Sequence, residues 1–292
     1  MNLKINSFED LKKEGKSFYW ASFFLPKKSR INAGTLYSVC RYFDDIADKD
    51  NNDQSEFLKS SINNIKQNKQ NEVGIFLQKN KISNLIFFDL IEGLIADQRE
   101  TAINNQDQLI KYSYHVAGTV GLMMSKIIGV TNKKAKPCAI DLGIAMQITN
   151  IARDVHEDAQ MQRIYIPSEW IPNISLSILS GKNEIKLEQE ELLSNAIHKL
   201  INLSEKFYMN GFSGLRYIPI KTRLGILIAA NIYRGIGIKI KKHGKKYLKR
   251  RIYLNGFEKF IITLKSILIF FFIPILYCKY NKIRETLPNE NL

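Results

Sequence analysis

The stretch that decides the fold is QITNIARDVHEDAQMQRIYIP, residues 147–167. Its polar side chains follow one another at steps of three, four and four residues, which places them on one face of a helix: Gln147, Asn150, Asp154 and Asp158. Arg153 lies beside this face. Because two carboxylates and two amides are costly to bury without partners, the face suits divalent cations and an anionic ligand.

A second face of the same kind lies upstream, in YSVCRYFDDIAD at residues 37–48. Steps of four, three and four bring together Tyr37, Arg41, Asp44 and Asp48, whereas Asp45 points about a quarter-turn away. Two carboxylates about 4 Å apart at an effective dielectric near 20 repel by ~4 kcal/mol. Hard divalent cations relieve such repulsion, and arginines bind phosphate bidentately. The alternative is that each aspartate pairs with a local arginine or lysine on a solvated helix surface.

The composition is typical of a globular protein and argues against both a disulfide framework and a zinc site. Of the 292 residues, 45% are hydrophobic and 24% are charged. The three cysteines (Cys40, Cys138 and Cys278) are far apart and form no CxxC pair, which fits a reducing cytosol. The four histidines form no HxH or HExxH pattern, which argues against a zinc site.

Apolar periodicity predicts one all-α domain. Helical spacing of apolar residues recurs along most of the chain, and no stretch alternates as a strand would. Ala117, Gly118 and Gly121 are small enough to allow close approach by a helix or a ligand. Helices are predicted, to within a few residues, over 30–50, 82–99, 106–129, 138–158, 185–208 and 220–243, with a loop over 159–174.

The net charge of +15 and the C-terminal residues suggest an anionic partner. Nucleic acid, a polyanionic substrate, an anionic membrane or merely a basic surface would each fit. Eight basic and no acidic residues occupy 239–251, followed by FEKFIITLKSILIFFFIPILY at 257–277. The charge-free run Ser266–Tyr277 is shorter than the roughly 20 residues of a spanning helix. We therefore expect residues 256–292 to contact a membrane surface rather than nucleic acid, the alternative being a closing helix of the core.

The N-terminus, MNLKINSFEDLKKEGKS, lacks the apolar segment of a signal peptide. With the basic and apolar C-terminal region, this predicts a cytoplasmic protein that associates peripherally with the inner membrane.

Three segments resemble the squalene/phytoene synthase family: YSVCRYFDDIAD, YHVAGTVGLMM and GIAMQITNIARDVHEDAQMQRIYIP. The residues of these segments are most similar to those of bacterial phytoene synthases, and the resemblance runs from about residue 15 to about residue 255. It implies the isoprenoid-synthase fold, a single helical domain (1–255) around a central substrate cavity with two facing DxxxD helices. Residues 256–292 would form a separate basic and apolar tail.

The resemblance also implies roles for individual residues. Magnesium, or manganese in its place, would be bound by Asp44, Asp48, Asn150, Asp154 and Asp158. The prenyl diphosphates would be bound by Ser17, Phe18, Tyr37, Arg41, Gln147, Arg153 and Tyr233. The catalytic set would be Asp44, Asp48, Asp154, Asp158, Arg41 and Tyr37. One departure is Glu14-Gly15, where the family often has His-Ser.

The activity implied is head-to-head condensation of two geranylgeranyl diphosphates to phytoene through a cyclopropyl (prephytoene) diphosphate, the first step of carotenoid biosynthesis. The alternative is a squalene or dehydrosqualene synthase acting on two farnesyl diphosphates, with NADPH needed only for squalene. The non-enzyme alternative is an inactive relative that serves as an assembly factor; such proteins usually lose metal ligands, and here all are present. Substrate length depends on the depth of the apolar tunnel, which the sequence alone does not give. The sequence does not give the oligomeric state either.

Overall fold

Helices form the regular structure of this computed structural model, which describes residues 9–48, 54–67, 71–98, 103–243, 251–272 and 279–290. No residue in those ranges lies in a strand, so the all-α prediction is confirmed. The α-helices are α1 (Glu9–Lys13), α2 (Lys16–Ser22), α3 (Lys27–Ala47), α4 (Ser55–Lys66), α5 (Glu72–Lys79), α6 (Asn84–Asp97), α7 (Gln106–Ser113), α8 (Thr119–Ile127), α9 (Ala135–Arg153), α10 (Val155–Gln160), α11 (Leu176–Leu179), α12 (Leu187–Ser213), α13 (Ile220–His243) and α14 (Gly256–Phe272).

Helix α9 lies at the centre and packs against α8, α12 and α13. Ile140, Ile144 and Ile148 recur every fourth residue and are fully buried, as an amphipathic helix in a core requires. The hydroxyl groups of Thr149 on α9 and Tyr208 on α12 lie 3.1 Å apart, so each of these two buried polar groups has a hydrogen-bond partner across the interface. The central helix thereby presents its polar C-terminal end at a fixed position.

Small residues let the segment after α7 approach α9 closely. A π-helical turn, Tyr114–Gly118, joins α7 to α8. A β-carbon at Gly121 would lie 2.2 Å from the carbonyl oxygen of Ala139, and one at Gly143 would lie 2.3 Å from that of Ala117. The approach expected from the small residues is therefore between two helical backbones.

Gly121→Ala is expected to lower the free energy of unfolding by about 1–3 kcal/mol, because the added methyl group forces the two helices apart. Gly256→Ala is the matched control, since a β-carbon there meets nothing within 4 Å. Urea unfolding followed by circular dichroism measures both. Equal stability of the two variants would contradict the close packing.

The structure corrects two features of the predicted helix over 138–158. The helix begins earlier, at Ala135, with Pro137 in its first turn, where no intrahelical donor is lost. It ends at Arg153, because Asp154 leaves helical geometry (φ −106°, ψ 17°) before α10 begins. The Asp158 amide still donates to the Asp154 carbonyl (2.8 Å), so the register of the motif continues across the break.

The C-terminal region packs on the helical domain in two parts. Helix α14 lies along α13, where Asn231 donates to the Ser266 hydroxyl (2.9 Å). Residues 279–290, here called the C-terminal strap, return to the core, where Arg284 binds Asp141 (2.6 Å) with both side chains fully buried. Most of the basic run, 244–250, and residues 273–278 of the apolar run lie outside the described residues. Within the described ranges, no helix is both long and apolar enough to cross a membrane.

Candidate active site

A cavity of about 440 Å³ runs between α3, α8 and α9. Along α9 its lining extends from Asn150 to Ala135, fifteen residues and therefore about 22 Å of helix. Asp44, Asp97 and Asn150 line one end, here called the polar end. The remainder is mostly apolar, with lining residues that include Val116, Val120, Met124, Leu142 and Met146. The cavity thus joins a charged end to a long apolar tunnel.

On α3, Arg41 gathers the acidic side chains of the first motif. Its guanidinium contacts Glu14 (2.8 Å), Asp44 (3.0 Å) and Asp45 (2.7 Å). Arg41 and Asp44 line the cavity, as does Tyr37 one turn earlier on the same helix. Asp45 is not among the described lining residues, as its quarter-turn offset predicts. Glu14 therefore competes with any anion for Arg41.

At the second motif, two arginines bind Asp154. Arg153 makes contacts of 2.7 and 2.5 Å with its carboxylate, and Arg251, from the segment after α13, makes contacts of 2.8 and 3.0 Å. A hydrogen bond with Arg153 also connects this group to Tyr233. Arg251 was missed from the sequence because only the fold brings it back over α9, although it belongs to the basic run singled out there.

Asp97 and Arg163 connect the two motifs, and neither was assigned a role from the sequence. Arg163 contacts Asp48 (2.6 Å) of the first motif and Asp97 (3.6 Å) at the end of α6. The Tyr165 hydroxyl donates to Asp97 (2.8 Å), and the Tyr112 ring stacks on that of Tyr165, with centroids 4.7 Å apart. The available signal for Asp97 was a carboxylate directly after the apolar residues Leu94, Ile95 and Ala96 at the end of α6.

Two motif carboxylates have strongly raised pKa values. Burial raises the pKa of Asp44 to about 7, with a further contribution from Asp48 and partial compensation by Arg41. Burial raises the pKa of Asp158 to about 8, with a contribution from Asp154. Asp97 adds to both shifts, so both motifs approach it. Carboxylates in such a site bind protons or cations more readily than exposed carboxylates do, because their uncompensated negative charges are unfavourable.

The donor atoms fit a hard divalent cation. The side-chain carbonyl oxygen of Asn150 is buried without a hydrogen-bond partner, although its amide donates weakly to Gln147 (3.5 Å). An unpartnered oxygen beside carboxylates of raised pKa suits Mg²⁺ or Mn²⁺, which prefer oxygen ligands. Among the described residues, no three Asp, Glu, His or Cys side chains converge closely enough to hold an ion. The carboxylates instead form ion pairs with Arg41, Arg153, Arg163 and Arg251.

Aromatic rings flank the polar end. The Phe18 ring stacks on Tyr233 (centroids 4.7 Å apart) and lies 6.5 Å from the Tyr37 ring. Phe18 and Tyr37 line the cavity, so three of the predicted substrate residues are brought together. Gln147 also lines it. Ser17 is half-buried on α2 and is not among the described lining residues.

Without divalent cations, stability is expected to fall as the pH rises from about 4 to about 8. Unfolded aspartates ionise near pH 3.9, whereas folded Asp44 and Asp158 keep protons until about pH 7 and about pH 8. The folded state then binds more protons than the unfolded state, so the free energy of unfolding decreases. Thermal melts in EDTA at pH 5 and pH 8 measure this, and Mg²⁺ should raise Tm more at pH 8.

The double variant Asp44→Asn/Asp158→Asn is the control for this pH effect. It should flatten the dependence and remove most of the response to Mg²⁺. A parent protein whose Tm with EDTA is the same at both pH values would contradict the raised pKa values.

Comparisons with known proteins agree on one family. The model of the squalene/phytoene synthase family matches residues 11–258. A 15-cis-phytoene synthase from Pantoea ananas is 30% identical over 274 residues, which cover 86% of this chain and 86% of that protein. Among solved structures, a dehydrosqualene synthase in complex with ligand has a TM-score of 0.79 at 28% identity, covering 90% of this chain and 94% of the other. A squalene synthase from Alicyclobacillus acidocaldarius shares the fold, with a TM-score of 0.69 at 17% identity and coverage of 84% and 97%.

Proposed function

Because the chain belongs to the squalene/phytoene synthase family and is a prenyltransferase-type enzyme of isoprenoid and carotenoid biosynthesis, we propose that it makes phytoene. The reaction is the head-to-head condensation of two geranylgeranyl diphosphates through a cyclopropyl diphosphate. The observation that carries this proposal is the long apolar cavity whose polar end holds Asp44, Asp97 and Asn150. A diphosphate ester with a long hydrocarbon chain has this same division into a charged head and an apolar body.

The polar end supplies the groups that a departing diphosphate needs. Magnesium, when bound, supplies positive charge to the leaving diphosphate. Its ligands would be Asp44, Asp48, Asn150, Asp154 and Asp158. Arg41, Arg153 and Arg251 form ion pairs with Asp44 and Asp154. With those carboxylates bound to a cation, the three guanidinium groups would be available to donate hydrogen bonds to phosphate oxygens.

The cavity wall protects the carbocation that forms when the diphosphate leaves. Apolar lining residues exclude water, which would otherwise trap the cation as an alcohol. At the polar end, the Phe18 ring stacks on Tyr233 and lies beside the tilted Tyr37 ring. Phe18 and Tyr37 line the cavity, where aromatic rings stabilise positive charge. Half-buried Tyr37 keeps its proton, because burial raises the pKa of its hydroxyl well above the usual value.

A second candidate is dehydrosqualene or squalene synthesis from two farnesyl diphosphates. The dehydrosqualene synthase structure, at 28% identity, is nearly as similar in sequence as the phytoene synthase relative at 30%. Tunnel depth favours the longer substrate, since the lining continues about 22 Å along α9.

Purified protein incubated with Mg²⁺ and either geranylgeranyl or farnesyl diphosphate, with and without NADPH, distinguishes these activities. A forty-carbon product formed without NADPH supports phytoene synthesis. A thirty-carbon product that requires NADPH indicates squalene synthesis, and one formed without it indicates dehydrosqualene synthesis. No product from either substrate would exclude the proposed reactions.

Ala33→Phe is expected to shorten the tunnel and shift preference towards farnesyl diphosphate by about tenfold or more. Ala33 lines the cavity eleven residues before Asp44, about 16 Å along α3. Discrimination by bulk in an apolar pocket is typically 10–200-fold. Competition between the two substrates measures the ratio of kcat/KM values. Ile31→Phe, exposed on the same helix, is the control, and an equal ratio in both variants would contradict the tunnel assignment.

A further inference from the structure

Three carboxylates of the described residues share the Arg41 guanidinium at the edge of the cavity. Two of them, Asp44 (3.0 Å) and Asp45 (2.7 Å), lie on the same helix as Arg41. The third, Glu14, contacts the Nε atom (2.8 Å) and comes from the segment that joins α1 to α2. The negative charges on this side of the polar end therefore outnumber the one positive charge that they contact.

The second motif has the opposite balance of charge. Arg153 and Arg251 both bind Asp154, at 2.5 and 2.8 Å. Asp158 adjoins Asp154, but burial raises its pKa to about 8, so it mostly keeps its proton at neutral pH. An anion therefore meets surplus positive charge beside Asp154 and surplus negative charge beside Arg41.

Close packing of the backbone fixes the position of Glu14. Its amide donates to a backbone carbonyl of α1 (3.0 Å), and Leu11 on that helix is buried and lines the cavity. The next residue is Gly15, where a β-carbon would lie 2.8 Å from the Leu11 side chain and 3.0 Å from the Tyr37 ring. Because the chain lies this close to α3, the Glu14 side chain starts from a fixed point beside Arg41.

Glu14 contributes mainly charge to the polar end. The Nε–H group of Arg41 is buried and has no hydrogen-bond acceptor in good geometry among the residues that the structure describes, although the Glu14 carboxylate lies 2.8 Å away. Both side chains are more than a third exposed (38% and 37%), so the ion pair adds little to stability. Burial raises the pKa of Tyr37 and Glu14 raises it further, so the Glu14 charge acts on a residue that lines the cavity.

We infer that Glu14 makes the Arg41 side of the polar end accept a diphosphate only as its complex with divalent cations. A metal-free diphosphate carries several negative charges, which the surplus carboxylates repel, whereas cations on its oxygens cancel much of that charge. A prenyl diphosphate bound without cations would lack the positive charge that its departure needs, so its exclusion avoids an unproductive complex. The inference rests on the proposed function in that the ligand is a diphosphate.

The test is isothermal titration calorimetry of the full-length protein with inorganic pyrophosphate at low ionic strength, in EDTA and in excess Mg²⁺. The parent should bind the magnesium complex at least about tenfold more tightly than the metal-free anion. Glu14→Gln removes one charge and keeps the shape of the side chain. It should raise the affinity for metal-free pyrophosphate about tenfold and change that for the magnesium complex less than about threefold. Salt at about 1 M, where the Debye length is about 3 Å, should remove most of this gain.

Glu14→Asp and Glu191→Gln are the controls. Glu14→Asp keeps the charge and should keep the preference of the parent for the magnesium complex. Glu191 is exposed on α12, and its glutamine variant should bind both forms as the parent does. If Glu14 only ties α1 to α3, Glu14→Gln will lower Tm and leave the ratio of the two affinities unchanged, which overturns the inference. Binding of the magnesium complex that is weakened tenfold also overturns it, since Glu14 would then be a cation ligand.

Turnover separates this inference from the proposed function. A parent that shows the expected preference but forms no product from geranylgeranyl or farnesyl diphosphate leaves the role of Glu14 supported and defeats only the proposed reactions. A parent that forms product and binds both forms of pyrophosphate equally overturns the role of Glu14 and leaves the proposed function standing.

Discussion

An Asp44→Asn enzyme is expected to have a kcat about 10²- to 10³-fold lower than the parent, with unchanged helical content. This is the typical effect of removing one group that stabilises developing charge. Asp44 lines the polar end of the cavity, where burial, with a contribution from Asp48, raises its pKa to about 7, so an ionised Asp44 favours a bound cation. Asparagine keeps the shape of the side chain but provides no negative charge for a cation. Steady-state kinetics with geranylgeranyl diphosphate and Mg²⁺ measure the effect.

Asp45→Asn is the matched control, because Asp45 binds the same arginine but is not among the cavity-lining residues described. Its kcat should remain within about twofold of the parent. Asp44→Asn should also be at least as stable as the parent at pH 8 without Mg²⁺, since it removes a carboxylate whose ionisation opposes folding. Equal losses of activity at positions 44 and 45 would contradict the assignment of Asp44 to the metal site.

Asp154→Asn is expected to lower kcat as much as Asp44→Asn does.

Arg284→Met is expected to lower the free energy of unfolding by about 3–5 kcal/mol, the usual effect of removing one partner of a buried ion pair. Arg284 lies in the C-terminal strap and binds Asp141 (2.6 Å) and Glu290 (2.9 Å), with its own side chain only 1% exposed. Asn210 also donates to Asp141 (2.8 Å) and binds the strap backbone at Asn281. Without the guanidinium, Asp141 on α9 becomes an uncompensated buried charge. Urea unfolding at pH 7 measures the loss.

Two companion variants identify the cause of that loss. Lys282→Met, at an exposed position of the same strap, should change stability by no more than about 0.5 kcal/mol. The double variant Arg284→Met/Asp141→Leu should recover much of the loss, because the fully buried carboxylate of Asp141 is then absent. Burial already raises the pKa of Asp141, and loss of Arg284 raises it further. The deficit of Arg284→Met should therefore be larger at pH 8 than at pH 5, and a deficit independent of pH would indicate lost packing alone.

Local spacing predicted the all-α fold, which the structure confirms, and it grouped the polar residues of the two motifs, whose binding roles stay predictions. The aspartates recur at helical steps, and the apolar residues between them recur at the steps that build a core, so both could be identified without tertiary contacts. The helix predicted over 220–243 coincides with α13, and the one over 106–129 covers α7, the π turn and α8. No helix was predicted at α5, a short helix that follows the Asn71 cap and buries Val73, Phe76 and Leu77.

Contacts between distant residues were not predictable in this way. Arg163 reaches Asp48 across 115 positions, and Arg251 reaches Asp154 across 97. No periodicity couples such residues, because their proximity follows from how the helices pack. The end of α9 at Arg153 is of the same kind, since two arginines bind the Asp154 side chain where the backbone leaves the helix.

The sequence by itself therefore determined the all-helical fold, and it grouped the aspartates, amides and arginines of the two motifs on helical faces. It could do so because helical periodicity is local and the motif residues lie within a few turns of each other. The family followed from the resemblance of three segments, and the roles of the motif residues in binding stay predictions. Only the tertiary structure decided that Asp97 and Arg163 join the two motifs, that the strap closes on Asp141, and that α14 leaves an apolar face uncovered. Each of these depends on which helix faces are buried against one another, and an amphipathic pattern does not show which other helix its apolar face packs against.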